Sequence, residues 1–432
     1  MSKLEELIKE FCPNGVEYKN FYSVCKYVRG ITYSSVQELF NPIDGTPVLR
    51  ANNIDLQTNT LILEDIKFVD ESVKIKEEQW LKKDDILICA GSGSKEHIGK
   101  IAYIFKNVNM TFGGFMGVIR ANRDVLLSRF LFHFLTSNMF KRHLSKVSAS
   151  NSSTINNINN ETWRNLQIPL PALPVQREIV RILDSFTLYS AELTAELTAR
   201  RKQYEFYRDK LLNFLDVAVK KYKLKEIADI YLGLTYTPRY VEHGVTFISS
   251  KNIANDYLDL SDVKYISYEE YTKATSNAKP KKGDILFTRV GSNLGHPTIV
   301  NIEKELCIFV SVGYLRVNPQ IVINKYIKHW MNTDSFWNQV NSKVGNAPKA
   351  NLNSSWMREF NICLPPMDVQ ERIVKVLDNF DAICSDLGIG LPAEIEKRQK
   401  QYEYYREKLL TFDGKYATIL TERNGTERNG QG

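Results

Sequence analysis

A chain of 432 residues exceeds the usual single-domain size, and its 43% hydrophobic and 25% charged residues allow sizeable cores, which excludes a disordered chain. The net charge of +7 permits a polyanionic partner without requiring one. Six cysteines (Cys12, Cys25, Cys89, Cys307, Cys363 and Cys384) form no C-x-x-C pair, which argues against a zinc ribbon or a disulfide framework and fits a reducing compartment.

The chain opens on Met1-Ser2-Lys3-Leu4-Glu5-Glu6, charged and without an apolar signal region, and no apolar run is long enough to span a bilayer. A cytoplasmic location is expected. Residues 1–165 mix short apolar runs such as Ile86-Leu87-Ile88 with Gly, Asn, Ser and Thr turns, the texture of an α+β domain rich in short strands. Residues 166–216 form a helical region. Its apolar positions Ile179, Leu183, Phe186, Leu193, Leu197, Tyr204, Tyr207, Leu211 and Phe214 fall on a heptad seam, interrupted only by Ser190 and Arg200. A helix from Pro174 to Phe214 would be about 60 Å long and needs a partner for that seam. Residues 217–360 return to the α+β texture, with Asp284-Ile285-Leu286-Phe287 as one short run. A second helical region, 361–413, carries Ile373, Leu377, Phe380, Cys384 and Leu387 at seam positions. It is broken at Gly388-Ile389-Gly390-Leu391-Pro392, so one helix should stop near Gly388 and another begin at Pro392. The tail, 414–432, is polar and repeats Thr-Glu-Arg-Asn-Gly, which predicts disorder.

The chain is written twice. Leu170-Pro171 through Val175-Gln176-Arg177-Glu178-Ile179-Val180 recurs as Leu364-Pro365 through Val369-Gln370-Glu371-Arg372-Ile373-Val374, at an offset of 194. Gln203-Tyr204-Glu205-Phe206-Tyr207-Arg208-Asp209-Lys210-Leu211-Leu212 recurs from Gln401 to Leu410 at an offset of 198. Weaker echoes link Gly30-Ile31-Thr32-Tyr33 to Gly233-Leu234-Thr235-Tyr236, Asp85-Ile86-Leu87 to Asp284-Ile285-Leu286, and Phe130–His133 to Tyr326–His329. This period is far too long for a solenoid and implies domain, helix, domain, helix.

Catalytic motifs fail. The run from Gly93 to Gly99-Lys100 has one residue too many for a P-loop, and Ile101 stands where Ser or Thr would hold magnesium. Gly91-Ser92-Gly93 is no nucleophile elbow. The six histidines show no metal spacing; His133 and His329, at matching positions of the repeats, read as packed structural residues. Leu364-Pro365-Pro366-Met367 lacks the Asn or Asp and the aromatic that an amino-methyltransferase motif needs.

The paired L-P…V-Q-x-x-I-V and Y-E-[FY]-Y-R-[DE]-K-L-L blocks, the tandem Ala191-Glu192-Leu193-Thr194 and Ala195-Glu196-Leu197-Thr198, and the interrupted segment at Gly388 resemble the specificity subunits of type I restriction-modification systems. The resemblance covers the chain to about Phe412. It implies two target-recognition domains, separated by two long helices packed as an antiparallel coiled coil with an internal pseudo-twofold repeat. Each domain would take one half of a bipartite double-stranded DNA site. It implies two methyltransferase subunits, bound to the helical regions and supplying the S-adenosylmethionine chemistry, with no cofactor in this chain, and restriction subunits that join them. A DNA methyltransferase or restriction enzyme with fused specificity domains is the alternative; it needs a catalytic segment.

Base edges are read by Arg, Lys, Asn, Gln, Ser and Thr on loops and helix ends. The candidates in the first domain are Thr32, Tyr33, Arg50, Asn52, Asn53, Lys95 and Ser152, and in the second Thr235, Tyr236, Lys251, Asn252, Arg289, Ser292, Asn293, Lys343, Asn346 and Lys349. The candidates for partner binding are the repeated Tyr204, Tyr207 and Arg208 with Tyr402, Tyr405 and Arg406.

Overall fold

A computed structural model describes residues 2–39, 45–56, 58–93, 97–150, 156–214, 219–254, 257–274, 276–291, 294–344, 351–385 and 388–412. The chain divides into two compact units. One is Met1–Ala191 with the chain from Lys397 on, and the other is Glu192–Glu396. The expected linear segments therefore meet the structure differently: each unit holds one α+β domain and a share of both helical regions.

In the first unit a four-stranded antiparallel sheet runs in the order Cys25–Arg29, Met116–Ala121, Ile86–Cys89, Ile101–Tyr103. The run Ile86-Leu87-Ile88-Cys89 is buried on both faces, which explains its unbroken hydrophobicity. A second sheet is ordered Glu38–Leu39, Lys67–Val69, Thr46–Leu49, Thr111–Phe112. The second unit repeats both. Ala228–Leu232, Val312–Val317, Ile285–Thr288 and Pro297–Ile299 form one sheet, and Tyr240–Val241, Lys264–Ile266, Val245–Ile248 and Leu306–Ile308 the other.

Several sequence echoes now have causes. Asp85 takes two hydrogen bonds of 2.8 Å from Arg120, and Asp284 takes bonds of 3.0 and 2.6 Å from Arg316. Each aspartate thus sits at the foot of a central strand with a charge partner. Strand Gln167–Leu170 pairs antiparallel with Glu17–Asn20, and Asn361–Leu364 with Lys220–Lys223. The glutamine of each V-Q-x-x-I-V block is fully buried. Gln176 donates to Val125 O and Pro171 O (2.8 and 2.7 Å) and accepts from Leu127 N at 2.9 Å. Gln370 does the same with Ile321 O, Pro365 O and Ile323 N. It fastens helix to domain by satisfying loop backbone that would otherwise be orphaned.

The first long helix is Leu173–Leu212, within two residues of the expected Pro174–Phe214. The second region is two helices, Met367–Ser385 and Leu391–Leu410, the second with Pro392 in its first turn as expected. Of the seam, Ile179, Leu183, Leu193, Ile373, Leu377 and Cys384 are buried, whereas Arg200 is exposed. In the first unit Phe186 stacks on Tyr405 at 5.4 Å, and the Arg398 guanidinium lies over Tyr189, so these helices run antiparallel. In the second unit Tyr207 stacks on Phe380 at 5.8 Å, and Cys384 neighbours Arg201 and Arg200, again antiparallel. Leu387 and the tail from residue 413 lie outside the described residues. No described helix is long and apolar enough to cross a membrane.

Candidate nucleic-acid interface

The two G-[IL]-T-Y echoes mark a chain crossing. A β-carbon on Gly30 would lie 2.1 Å from Gly113 O, and one on Gly233 would lie 2.2 Å from Phe309 O, so only glycine fits. The crossing is fixed by Ile31 N to Phe112 O (2.8 Å) and by Leu234 N to Ile308 O (2.9 Å). Just beyond it Thr32 and Thr235 are exposed in both units. Tyr33 is half-buried against Ile31, Val48, Val69 and Val73. Tyr236 stays exposed, and partial desolvation with the nearby Glu270 carboxylate holds its phenol proton more tightly than usual.

The next matching place is the end of a strand of the second sheet. Asn53 is 1% exposed; it accepts from Arg50 N at 2.8 Å and donates to Ile62 O and Asp65 O. Asn252, also buried, accepts from Ser249 N at 3.0 Å and donates to Asp259 O and Asp262 O. Both side chains are spent on shaping their own loops. Arg289 is 8% exposed, donates to Val310 O at 2.9 Å, and is kept less basic than usual by burial. The expectation that Asn53 and Asn252 offer edges to a ligand is corrected, because their side-chain amides already have backbone partners inside the chain, whereas Arg289 directs only Nε and Nη1 inward, to Leu352 O and Val310 O. Asn52 and Lys343 are exposed. Arg50 and Lys251 are paired with Asp65 (3.0 Å) and Asp262 (2.7 Å), surface pairs of small energetic worth that a polyanion could displace. Lys95, Ser152, Ser292, Asn293, Asn346 and Lys349 lie outside the described residues.

Two residues at this end of the first unit were not on the sequence-derived roster. Arg29 is exposed, its Nε donating to Gly114 O at 3.2 Å. Phe115 follows the Gly113-Gly114 pair and is 63% exposed. The legible signal was an aromatic set directly behind two glycines, where a turn interrupts the strand pattern.

The helical blocks do something else. His133, fully buried, sits 2.8 Å from Asp184 through Nε2 and 3.0 Å from the Tyr402 hydroxyl through Nδ1. His329 repeats this with Asp378 (2.9 Å) and Tyr204 (3.0 Å). Each tyrosine comes from the helical block of the other repeat. Arg406 and Arg208 lie over the rings of Tyr402 and Tyr204. Glu407 accepts from Asn138 N at 2.7 Å and Asp209 from Asp334 N at 3.1 Å, each capping a domain helix. The expectation that Tyr402 and Arg406 form a partner surface is corrected, because both are buried in the chain's own core. Tyr204 is likewise turned inward, with Arg208 on its ring, and Tyr405 is half-buried against Phe186. Tyr207 keeps an exposed edge while it stacks on Phe380. Phe206 (61% exposed) and Tyr404 (48%), at matching positions of the two blocks, face outward.

This doubled architecture has known counterparts. The type I restriction modification DNA specificity domain matches residues 13–200 and again 217–397. The chain belongs to this family of specificity domains. Among similar specificity subunits, that of the Escherichia coli type I restriction enzyme EcoR124I/EcoR124II is 34% identical over 59% of this chain and 65% of its own length. The chain thus spans just under two thirds of that relative. The specificity subunit of type I restriction enzyme EcoKI from Escherichia coli K12 is 24% identical over 87% of this chain and 84% of its own. A solved chain from the structural basis of complex assembly and conformational transition of the type I R-M system superposes with a TM-score of 0.61, covering 92% of this chain and 98% of its own at 16% identity. That likeness bears on fold alone.

Proposed function

We propose that this chain is the sequence-reading subunit of a type I restriction-modification complex, each α+β domain taking one half of a bipartite double-stranded DNA site. The observation that carries the reading is the doubled loop end. The same glycine crossing, Gly30 and Gly233, presents Thr32 in one unit and Thr235 in the other. The surrounding side chains differ between units: Tyr33 is packed where Tyr236 is exposed beside Glu270, and Arg50 stands where the other unit has Ser249. One backbone with two side-chain sets suits two readers of different sequence. The chain itself supplies no chemistry in this reading; methyltransferase subunits hold S-adenosylmethionine, and restriction subunits join the complex. The cytoplasm is where such DNA is met.

Two methyltransferase copies are expected, one on each helical block, because Phe206 and Tyr404 expose matching aromatic faces. The test is selection from randomised DNA by the chain assembled with methyltransferase subunits, read at several salt concentrations. Two separated half-sites with a salt-dependent affinity are expected. No sequence preference would sink the reading.

A further inference from the structure

We propose that Phe115 is the apolar reader of one thymine methyl in the half-site taken by the first unit; this rests on the DNA-reading role above. Phe115 stands on a fixed backbone. Its carbonyl accepts from Ala90 N at 2.8 Å and from Gly91 N at 2.9 Å, tying the turn to the end of the central strand. The preceding carbonyl, Gly114 O, takes the Arg29 guanidinium, and a β-carbon on Gly114 would already press on Ile31 O at 3.1 Å. The side chain nevertheless projects into solvent.

The fold does not ask for an aromatic here. In the second unit the same turn carries Ser311, whose carbonyl accepts from Arg289 N at 2.8 Å just as Phe115 O accepts from Ala90 N. Ser311 Oγ serves its own unit, accepting from Ser250 N at 3.4 Å. So one rigid position carries a small internal hydroxyl in one repeat and a large exposed ring in the other. Beside this turn lie two polar groups suited to a duplex: the Arg29 guanidinium, held on Gly114 O, and the Thr32 hydroxyl, 3.4 Å from where a Gly114 β-carbon would stand. An exposed apolar ring next to such groups has one complementary feature on a base-pair edge, the thymine 5-methyl group in the major groove. Single exposed hydrophobics are common on surfaces; this one is distinguished by a pinned backbone and by a counterpart that dispenses with it.

The test uses the full chain assembled with methyltransferase subunits, on its own selected site. Each thymine of the first half-site is replaced in turn by deoxyuridine, which removes only the methyl. Wild type should lose about fourfold in affinity at one position, the partition worth of one methyl, and Phe115→Ser should show no such loss. Selection with Phe115→Ser should relax that position alone and leave the second half-site untouched. Phe115→Ser should melt at the wild-type temperature, since Ser311 shows that the backbone accepts serine; Phe115→Leu, which keeps an apolar tip, should retain part of the preference. An unchanged preference in Phe115→Ser, a deoxyuridine effect that survives the substitution, or a first half-site without thymine would overturn the inference. A wild-type complex with no sequence preference would overturn the DNA-reading role itself.

Discussion

Tyr402 and Tyr204 each complete a hydrogen-bond set on a buried imidazole, that of His133 and that of His329. Each ring sets Nε2 against an aspartate and Nδ1 against a tyrosine hydroxyl; in the tautomer that carries its proton on Nε2, the hydroxyl donates to Nδ1. Losing one such bond costs about 1 kcal/mol, more if the ring nitrogen is left dry. Tyr402→Phe should therefore weaken protection of first-unit amides in hydrogen exchange, and Tyr204→Phe those of the second; a change spread evenly over both would contradict this. Burial keeps the His133 proton affinity below its ordinary value, with the Asp184 carboxylate opposing that shift and the Arg129 and Arg406 charges adding to it. Unfolded His133 protonates near 6.5. Below that pH the unfolded state binds more protons than the folded one, so first-unit stability is full above about 6.5 and falls as pH drops. Burial opposes the charge of Asp184, yet hydrogen bonds from His133 and Arg129 outweigh it and hold the carboxyl below its ordinary range, which extends the loss to lower pH. Thermal melts from pH 7.5 to 5 should show this slope, and His133→Gln should flatten its upper part. The histidines were legible as packed residues because they stand at matching repeat positions. Their tyrosine partners were not, because 269 residues separate His133 from Tyr402 and no local pattern links them. Asn53 and Asn252 misled for a related reason: an asparagine on a loop suits a base edge and a loop carbonyl equally well, and only burial tells them apart.

The helices were the most legible elements. Heptad spacing placed Leu173–Leu212 to within two residues, and Gly388 with Pro392 placed the break. Which faces turn outward was not legible, since Tyr402 and Tyr404 are both aromatic and differ by only two positions along the helix. The duplicated Ala191–Thr198 lies in the unbroken first helix, mostly exposed, with Leu193 buried and Leu197 half-buried. A third Ala-Glu-Leu-Thr copy would add about 6 Å and roughly 400° of rotation, 40° beyond a full turn. One base pair advances about 3.4 Å and turns roughly 35°. The match in rotation predicts a spacer longer by one base pair with both half-sites unchanged, because a twist error misaims a whole reading surface while DNA can bend to absorb a short translation. Methylation maps for one, two and three copies decide it. A constant spacer in folded, active complexes would mean that the duplication is only good helix former.

At the scale of the molecule, the repeat predicts stoichiometry. If Phe206 and Tyr404 are equivalent docking faces, Phe206→Ala or Tyr404→Ala alone should yield complexes with one methyltransferase copy, and the double substitution none. Native mass spectrometry reads this directly, and two copies retained in the double variant would refute it. The doubled layout was plain in the sequence; the exchange of tyrosines between repeats was not, because similarity reveals copies rather than contacts. That exchange also sets a timetable for biosynthesis. The second unit is one continuous stretch, Glu192–Glu396, whereas the first needs the chain from Lys397 on. Domains fold as they emerge, at about 5–20 residues per second, so the part made first is the last to be finished. Until Tyr402, Leu409 and Leu410 arrive, the nascent first domain waits with the His133 pocket and the apolar face of Ile179 and Leu183 uncovered. A ribosome that stops short of Lys397 releases a polypeptide sealed in its second half and open to proteases in its first.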